Sequence, residues 1–199
     1  MSRRRLLQGR DDWTGREPGA VSVRLFAALS LPDDLAERLT KLMQGVPGAK
    51  WRPKANLHLT LCFFGDVNEG AARELDAELE QVRVRPFDVS LKGTGVFGGS
   101  DPRALWIGAD RPPELLQLNK ACIRAAKRAG VATGRRAYVP HITLAYLRDP
   151  DRSRLARFIQ RTALYETPAF RVNSFSLFSS WAGKKGPNDY VEEAVYPLN

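Results

Sequence analysis

Asn56-Leu57-His58-Leu59-Thr60-Leu61 and Pro140-His141-Ile142-Thr143-Leu144 are two copies of one phrase, and they hold the only two histidines of the chain. Each reads His-x-Thr-Leu in apolar surroundings. In a β-strand, residues i and i+2 share a face. Each phrase therefore sets an imidazole beside a hydroxyl, with Leu57, Leu59 and Leu61, or Ile142 and Leu144, turned the other way into a core. A single histidine on a half-buried strand is ordinarily structural. Two of them, each two residues ahead of a threonine, form a repeated device. Brought together, they supply an acid, a base and two hydroxyl donors, which is enough to transfer a phosphoryl group without a metal.

The sequence around the phrases repeats as well. Leu25-Phe26-Ala27-Ala28-Leu29, then Pro32-Asp33-Asp34-Leu35, then the first His phrase is mirrored by Ala104-Leu105-Trp106-Ile107-Gly108, then Pro112-Pro113-Glu114-Leu115, then the second. The offset is 80 residues from Pro32 to Pro112 and 83 from His58 to His141. Two similar strand–helix–strand lobes follow, and a pseudo-two-fold axis between them would face His58 and His141 across a cleft. Strands are expected at residues 23–29, 56–64, 87–91, 104–108, 138–147, 170–178 and 190–196. Helices are expected to open at Pro32, near Ala71, at Pro112-Pro113 and after an Asp151 cap, as proline and acidic residues favour in a first turn. Residues 93–99 read as a glycine-rich loop. Residues 1–20 lack periodicity and read as a flexible basic extension. Residues 21–199 read as one bilobal domain.

Bulk properties set the class. The chain has 199 residues, 43% of them hydrophobic, which suits one domain or two small lobes sharing an interface. Lys and Arg number 31 against 22 Asp and Glu, a net charge of +9 that suits a polyanionic partner such as nucleic acid. The first 20 residues contribute +2 of that, so the body stays basic without them. Cys62 and Cys122 are the only cysteines, so no disulfide framework or Cys-x-x-Cys motif exists, and a reducing cytoplasm is expected. No apolar run approaches the roughly 18 residues of a membrane span.

Histidine changes charge near neutral pH, so a pair can divide acid and base work. Thr60 and Thr143 are placed to donate to non-bridging phosphate oxygens as charge builds there. There is no third histidine for a three-histidine metal site and no Gly-x-x-x-x-Gly-Lys-Ser/Thr loop for a nucleoside triphosphate. Neither metal nor cofactor is expected. Lys184-Lys185 reads as a solvated loop unless it borders the cleft.

The paired phrases, their spacing and the duplicated lobes resemble the 2H phosphoesterase superfamily, and within it the RNA 2′,3′-cyclic phosphodiesterases historically called 2′-5′ RNA ligases (LigT/ThpR type). The landmarks are Arg24-Leu25-Phe26-Ala27-Ala28-Leu29, Trp51, Asn56 to Gly65, Leu105-Trp106-Ile107-Gly108, Pro140 to Ala145, Ser174 to Ser179, and Tyr190. The resemblance implies an α+β fold. Two pseudo-symmetric lobes, each an antiparallel sheet with helices on its outer face, would flank a central cleft carrying both His-x-Thr motifs. It implies hydrolysis of RNA 2′,3′-cyclic phosphate ends, or of nucleoside 2′,3′-cyclic phosphates, to 2′-phosphates. By analogy His58 is the general acid and His141 the general base, an assignment that pseudo-symmetry leaves open. Ligation by the reverse reaction, RNA-end binding without turnover, and hydrolysis of a smaller cyclic phosphate stay open too. A monomer is expected, because the duplication already supplies the cleft.

Two departures matter. The family often continues the second motif as His-x-Thr-Leu-Ala-Arg, but Tyr146 stands at the Arg position. Either Arg148 reaches the phosphate or another cation does. Cys62 stands where the family often has a basic residue, and strict alternation puts it on the face of His58. Trp51, Phe63, Phe64 and Tyr146 are the aromatic candidates for lining the cleft or stacking a terminal base.

Overall fold

The computed structural model describes residues 22–134, 136–183 and 186–199. The N-terminal extension and Lys184-Lys185 lie outside the described residues. An apolar run, buried without a break from Leu25 to Leu29, builds β1 (Ser22–Ser30), and helix α1 (Asp33–Leu42) follows, with Asp33 and Asp34 in its first turn. Short β2 (Ala49–Trp51) and a 3₁₀ turn at Lys54–Asn56 lead into β3 (His58–Asn68). Lys54 Nζ reaches Asp33 Oδ1 at 2.7 Å and Glu37 Oε1 at 3.1 Å, tying that turn to α1. Helix α2 (Glu69–Glu80) starts two residues before the apolar periodicity, because the Asn68 side chain accepts from Ala71 N at 2.9 Å and caps it.

β4 (Phe87–Val89), β5 (Leu91–Phe97) and β6 (Ala104–Ala109) precede α3 (Pro113–Arg128), which has proline in its first turn. β7 (His141–Leu147) carries the second motif. Helix α4 (Arg152–Thr162) is capped by Asp151, whose Oδ1 accepts from Arg154 N at 3.0 Å. β8 (Phe170–Val172), β9 (Ser174–Trp181) and β10 (Asp189–Pro197) close the chain.

The strands form two four-stranded antiparallel sheets, ordered β10-β9-β1-β3 and β2-β7-β6-β5, plus the β4-β8 pair. Each sheet places a His strand beside the strand that opens its lobe, β3 on β1 and β7 on β6, so the duplication read in the sequence is present in space. The sheets share one hydrophobic core. Leu59 and Leu61 of β3, Ile107 of β6, Ile142 and Leu144 of β7, and Leu115, Leu118 and Cys122 of α3 belong to a single buried cluster. A second cluster seats Leu155 and Phe158 of α4 on Leu105 and Ala145, beside Val46.

Two expectations change. Residues 93–99 are strand as far as Phe97, because Gly95 lies where a Cβ would meet the Trp106 ring at 2.4 Å. Glycine there admits a large indole; it does not mark a loop. The run at 170–178 is two strands, since the chain leaves β4 after Val172, pairs with β10 from Ser174 and joins β1 from Ser176.

Candidate active site

Both His strands carry a β-bulge one residue past the threonine. In β3 the register jumps from Thr60 to Cys62, leaving Leu61 unpaired; in β7 it jumps from Thr143 to Ala145, leaving Leu144 unpaired. An extra residue reverses the faces of everything beyond it. Cys62 and Ala145 therefore turn into the interior, and Phe63 and Tyr146 turn outward, 60% and 50% exposed. The bulge carbonyls find donors from elsewhere, as buried backbone must. Thr60 O accepts from Tyr138 Oη at 3.1 Å, Leu61 O from Asn119 Nδ2 at 2.8 Å, and Leu144 O from Arg52 N at 2.8 Å.

The imidazoles are held alike. His58 Nδ1 lies 2.9 Å from Asn56 O, and His141 Nδ1 lies 2.6 Å from Val139 O, each the carbonyl two residues back. A carbonyl only accepts, so Nδ1 carries the proton in both rings and Nε2 is left for chemistry. Asn56 is itself pinned by Nδ2 donating to Asn188 O at 2.8 Å. Around His58 stand Phe26, with ring centroids 4.8 Å apart, and Tyr190, edge-on at 5.3 Å. Around His141 stand Phe97, edge-on at 4.8 Å, and Trp106 at 6.2 Å. Burial lowers the pKa of His58 to about 4, with the charges of Arg52 and His141 adding to the effect. Burial also lowers the pKa of His141. The charge of His141, 83 residues away in sequence, is thus felt at His58. Thr60 and Thr143 are half-buried, and among the described residues neither hydroxyl is engaged by another protein group.

Arg52 is the residue that sequence reasoning missed. Its guanidinium lies over the Tyr146 ring at 5.3 Å and the Tyr190 ring at 5.5 Å, and its Nη2 donates to Tyr190 Oη at 3.2 Å. It is 8% exposed. Phe97 likewise carries no local signal that sets it in the site, and Tyr190 stands out in the sequence only as a landmark of the family resemblance. Nothing local marks Arg52 as special either, since a hydrogen bond to Leu144, on a distant strand, places it.

Other expected positions are elsewhere. Cys62 does not share the face of His58; the bulge at Leu61 buries it, and burial pushes its thiol up to about 12. Phe64, unpaired at a second bulge, is buried in the main core. Trp51 is half-buried, its ring 5.8 Å from that of Phe158 under α4. Arg148 is exposed beyond the end of β7, its backbone N donating to Gly48 O at 2.9 Å. Among the described residues no group of three or more His, Cys, Asp or Glu gathers as metal ligands would, and no helix is long and apolar enough to cross a membrane. Both cysteines are free and buried.

The geometry has close counterparts. The family model of the 2′-5′ RNA ligase superfamily matches residues 31–183. The RNA 2′,3′-cyclic phosphodiesterase of Aquifex aeolicus is 32% identical over 179 residues, covering 87% of this chain and 95% of that protein. The protein of the same name from Methanothermobacter thermautotrophicus is 30% identical over 188 residues, covering 89% and 100%. Among solved structures, Escherichia coli LigT complexed with 3′-AMP superposes with a TM-score of 0.73 at 26% identity, covering 89% of this chain and 99% of that one. A protein of Thermus thermophilus superposes with a TM-score of 0.74 at 25% identity, covering 88% and 97%. Matched by the family model over most of its length, and aligned almost end to end with a relative above 30% identity, the chain belongs to the 2′-5′ RNA ligase superfamily.

Proposed function

We propose that the protein hydrolyses RNA 2′,3′-cyclic phosphate ends to 2′-phosphates by metal-independent acid–base catalysis between His58 and His141. The observation that carries this reading is the matched pair of imidazoles. Each is locked as the Nδ1–H tautomer by a carbonyl two residues back, and each sits beside a hydroxyl with no protein partner among the described residues. Relatives bearing the phosphodiesterase name, aligned over most of the chain, point the same way.

In the proposed step, His141 Nε2 takes a proton from water as the water oxygen bonds to phosphorus. The bond from phosphorus to O3′ breaks, and His58 Nε2–H protonates the departing O3′. Thr60 and Thr143 donate to the non-bridging oxygens, where negative charge concentrates in the transition state. Burial and the neighbouring cation make protonated His58 a strong acid. The negative charge of the bound phosphate is what lets His58 hold its proton until transfer. Phe97 stands against His141, Phe63 against the Phe26 ring that packs on His58, and Tyr146 under Arg52; all three rings are exposed and offer faces to a terminal base. Both histidines and both threonines come from one chain, which fits a monomer, and two buried free thiols fit a reducing cytoplasm.

The test is a short RNA ending in a 2′,3′-cyclic phosphate, incubated in EDTA with wild type, His58→Ala and His141→Ala. A 2′-phosphate product that falls roughly 10²- to 10⁴-fold in each variant supports the mechanism. Wild-type turnover that stops in EDTA, or that survives either substitution, refutes it.

A further inference from the structure

We propose that Arg52 is the cation that receives the substrate phosphate in this cleft, clamped for that purpose between Tyr146 and Tyr190. This rests on the phosphodiesterase reading above and names the residue that binds the anion.

Arg52 is buried, and among the described residues no carboxylate pairs with it. A buried cation without a counter-ion is costly, so such a group is ordinarily paired. An anionic ligand supplies the missing charge. Its position is fixed twice, by its backbone N on the bulge carbonyl of Leu144 and by Nη2 on Tyr190 Oη. The bulge that turns Tyr146 outward beneath the guanidinium is thus the same one that anchors the Arg52 backbone. A guanidinium has five N–H donors in a planar fork. One is used on Tyr190, which leaves an edge able to hold two oxygens of a phosphate. The site is close to the chemistry, for Tyr190 touches both the Arg52 guanidinium and the His58 ring. The two threonine hydroxyls and this fork together provide donors for the non-bridging oxygens. Arg148 is exposed at the strand end, tied only through its backbone N to Gly48 O among the described residues.

The experiment uses the full chain and two readouts. Direct titration with inorganic phosphate, followed by the NMR signal of the Arg52 Nε–H, tests contact without any substitution and regardless of turnover. That signal should move on saturation; a signal that stays fixed while phosphate binds elsewhere overturns the proposal. Steady-state kinetics on the cyclic-ended RNA then compare Arg52→Gln and Arg52→Lys with wild type, with thermal unfolding as the check on folding. Arg52→Gln should raise KM and the inhibition constant of inorganic phosphate roughly 10- to 100-fold. Arg52→Lys should recover part of that loss, since it keeps the charge without the fork, and it also serves if Arg52→Gln does not fold. Folded variants whose KM and phosphate inhibition stay within about two-fold of wild type sink the proposal. A wild type that binds phosphate through Arg52 yet turns over no cyclic phosphate refutes the phosphodiesterase reading and leaves the anion site standing.

Discussion

Replacing His58 by asparagine should flatten the acid sensitivity of the protein's stability. The folded chain holds this imidazole neutral, with a pKa lowered from 6.5 to about 4, chiefly by burial. The unfolded chain holds it at its ordinary value. Between those values the unfolded state binds more protons, so the contribution is fully present above about pH 6.5 and is lost as pH falls toward about 4. Linkage over that window gives a loss of about 2 kcal/mol between about pH 7 and pH 5 from this one ring. Asparagine keeps an amide N–H near the position of Nδ1, able to donate to Asn56 O, but it does not titrate. Urea unfolding of wild type and His58→Asn at both pH values isolates the effect, because every other titrating group is common to the two proteins. The wild type should lose about 2 kcal/mol more than the variant, with unchanged urea dependence. Equal losses in the two proteins would show that His58 is not a desolvated neutral group, and the electrostatic account of the site would fall with it.

Three more outcomes are expected. The kcat/KM profile against pH should be a bell whose apex lies below pH 6.5, because both imidazoles are depressed in the free protein; an apex near about pH 8, measured on the same cyclic-ended RNA, contradicts the burial of the pair. Native protein at neutral pH should resist a thiol reagent until urea is added, since both cysteines are buried with raised pKa values, and rapid labelling of Cys62 would place it in the cleft after all. Gly95→Ala should destabilise by about 1–3 kcal/mol in thermal or urea unfolding, because its Cβ would land 2.4 Å from the Trp106 ring; a neutral effect would mean the indole is free to move aside.

The His-x-Thr pairs were legible because a strand has a fixed period of two, and the lobes were legible because the sequence repeats. What local pattern did not reveal was the break in that period. Thr60-Leu61-Cys62-Phe63 and Thr143-Leu144-Ala145-Tyr146 each place two apolar residues in succession before an aromatic, and in both the first is the bulge. Strict alternation assigned Cys62 to the cleft, and it lies in the core. The division at Asn173 was invisible for a related reason: residues on either side alternate well, and only the choice of partner strand separates them. Arg52 was out of reach altogether, since its place depends on Leu144 and Tyr190, contacts that no local pattern encodes.

The shared core under the two sheets bears on how substrate enters. Leu59 and Leu61 from one sheet and Ile107, Ile142 and Leu144 from the other are packed into a single apolar mass, with α3, which belongs to the second repeat in sequence, lying against β3 of the first. Prising the halves apart would wet that mass, so hinge opening is too unfavourable to be a routine part of turnover. The distance between the imidazoles is then a property of the scaffold, in the way a vice is set once and left, and on the proposed reading admission falls to exposed rings beside them. Phe63 and Phe97 can swing in nanoseconds while the imidazoles stay still.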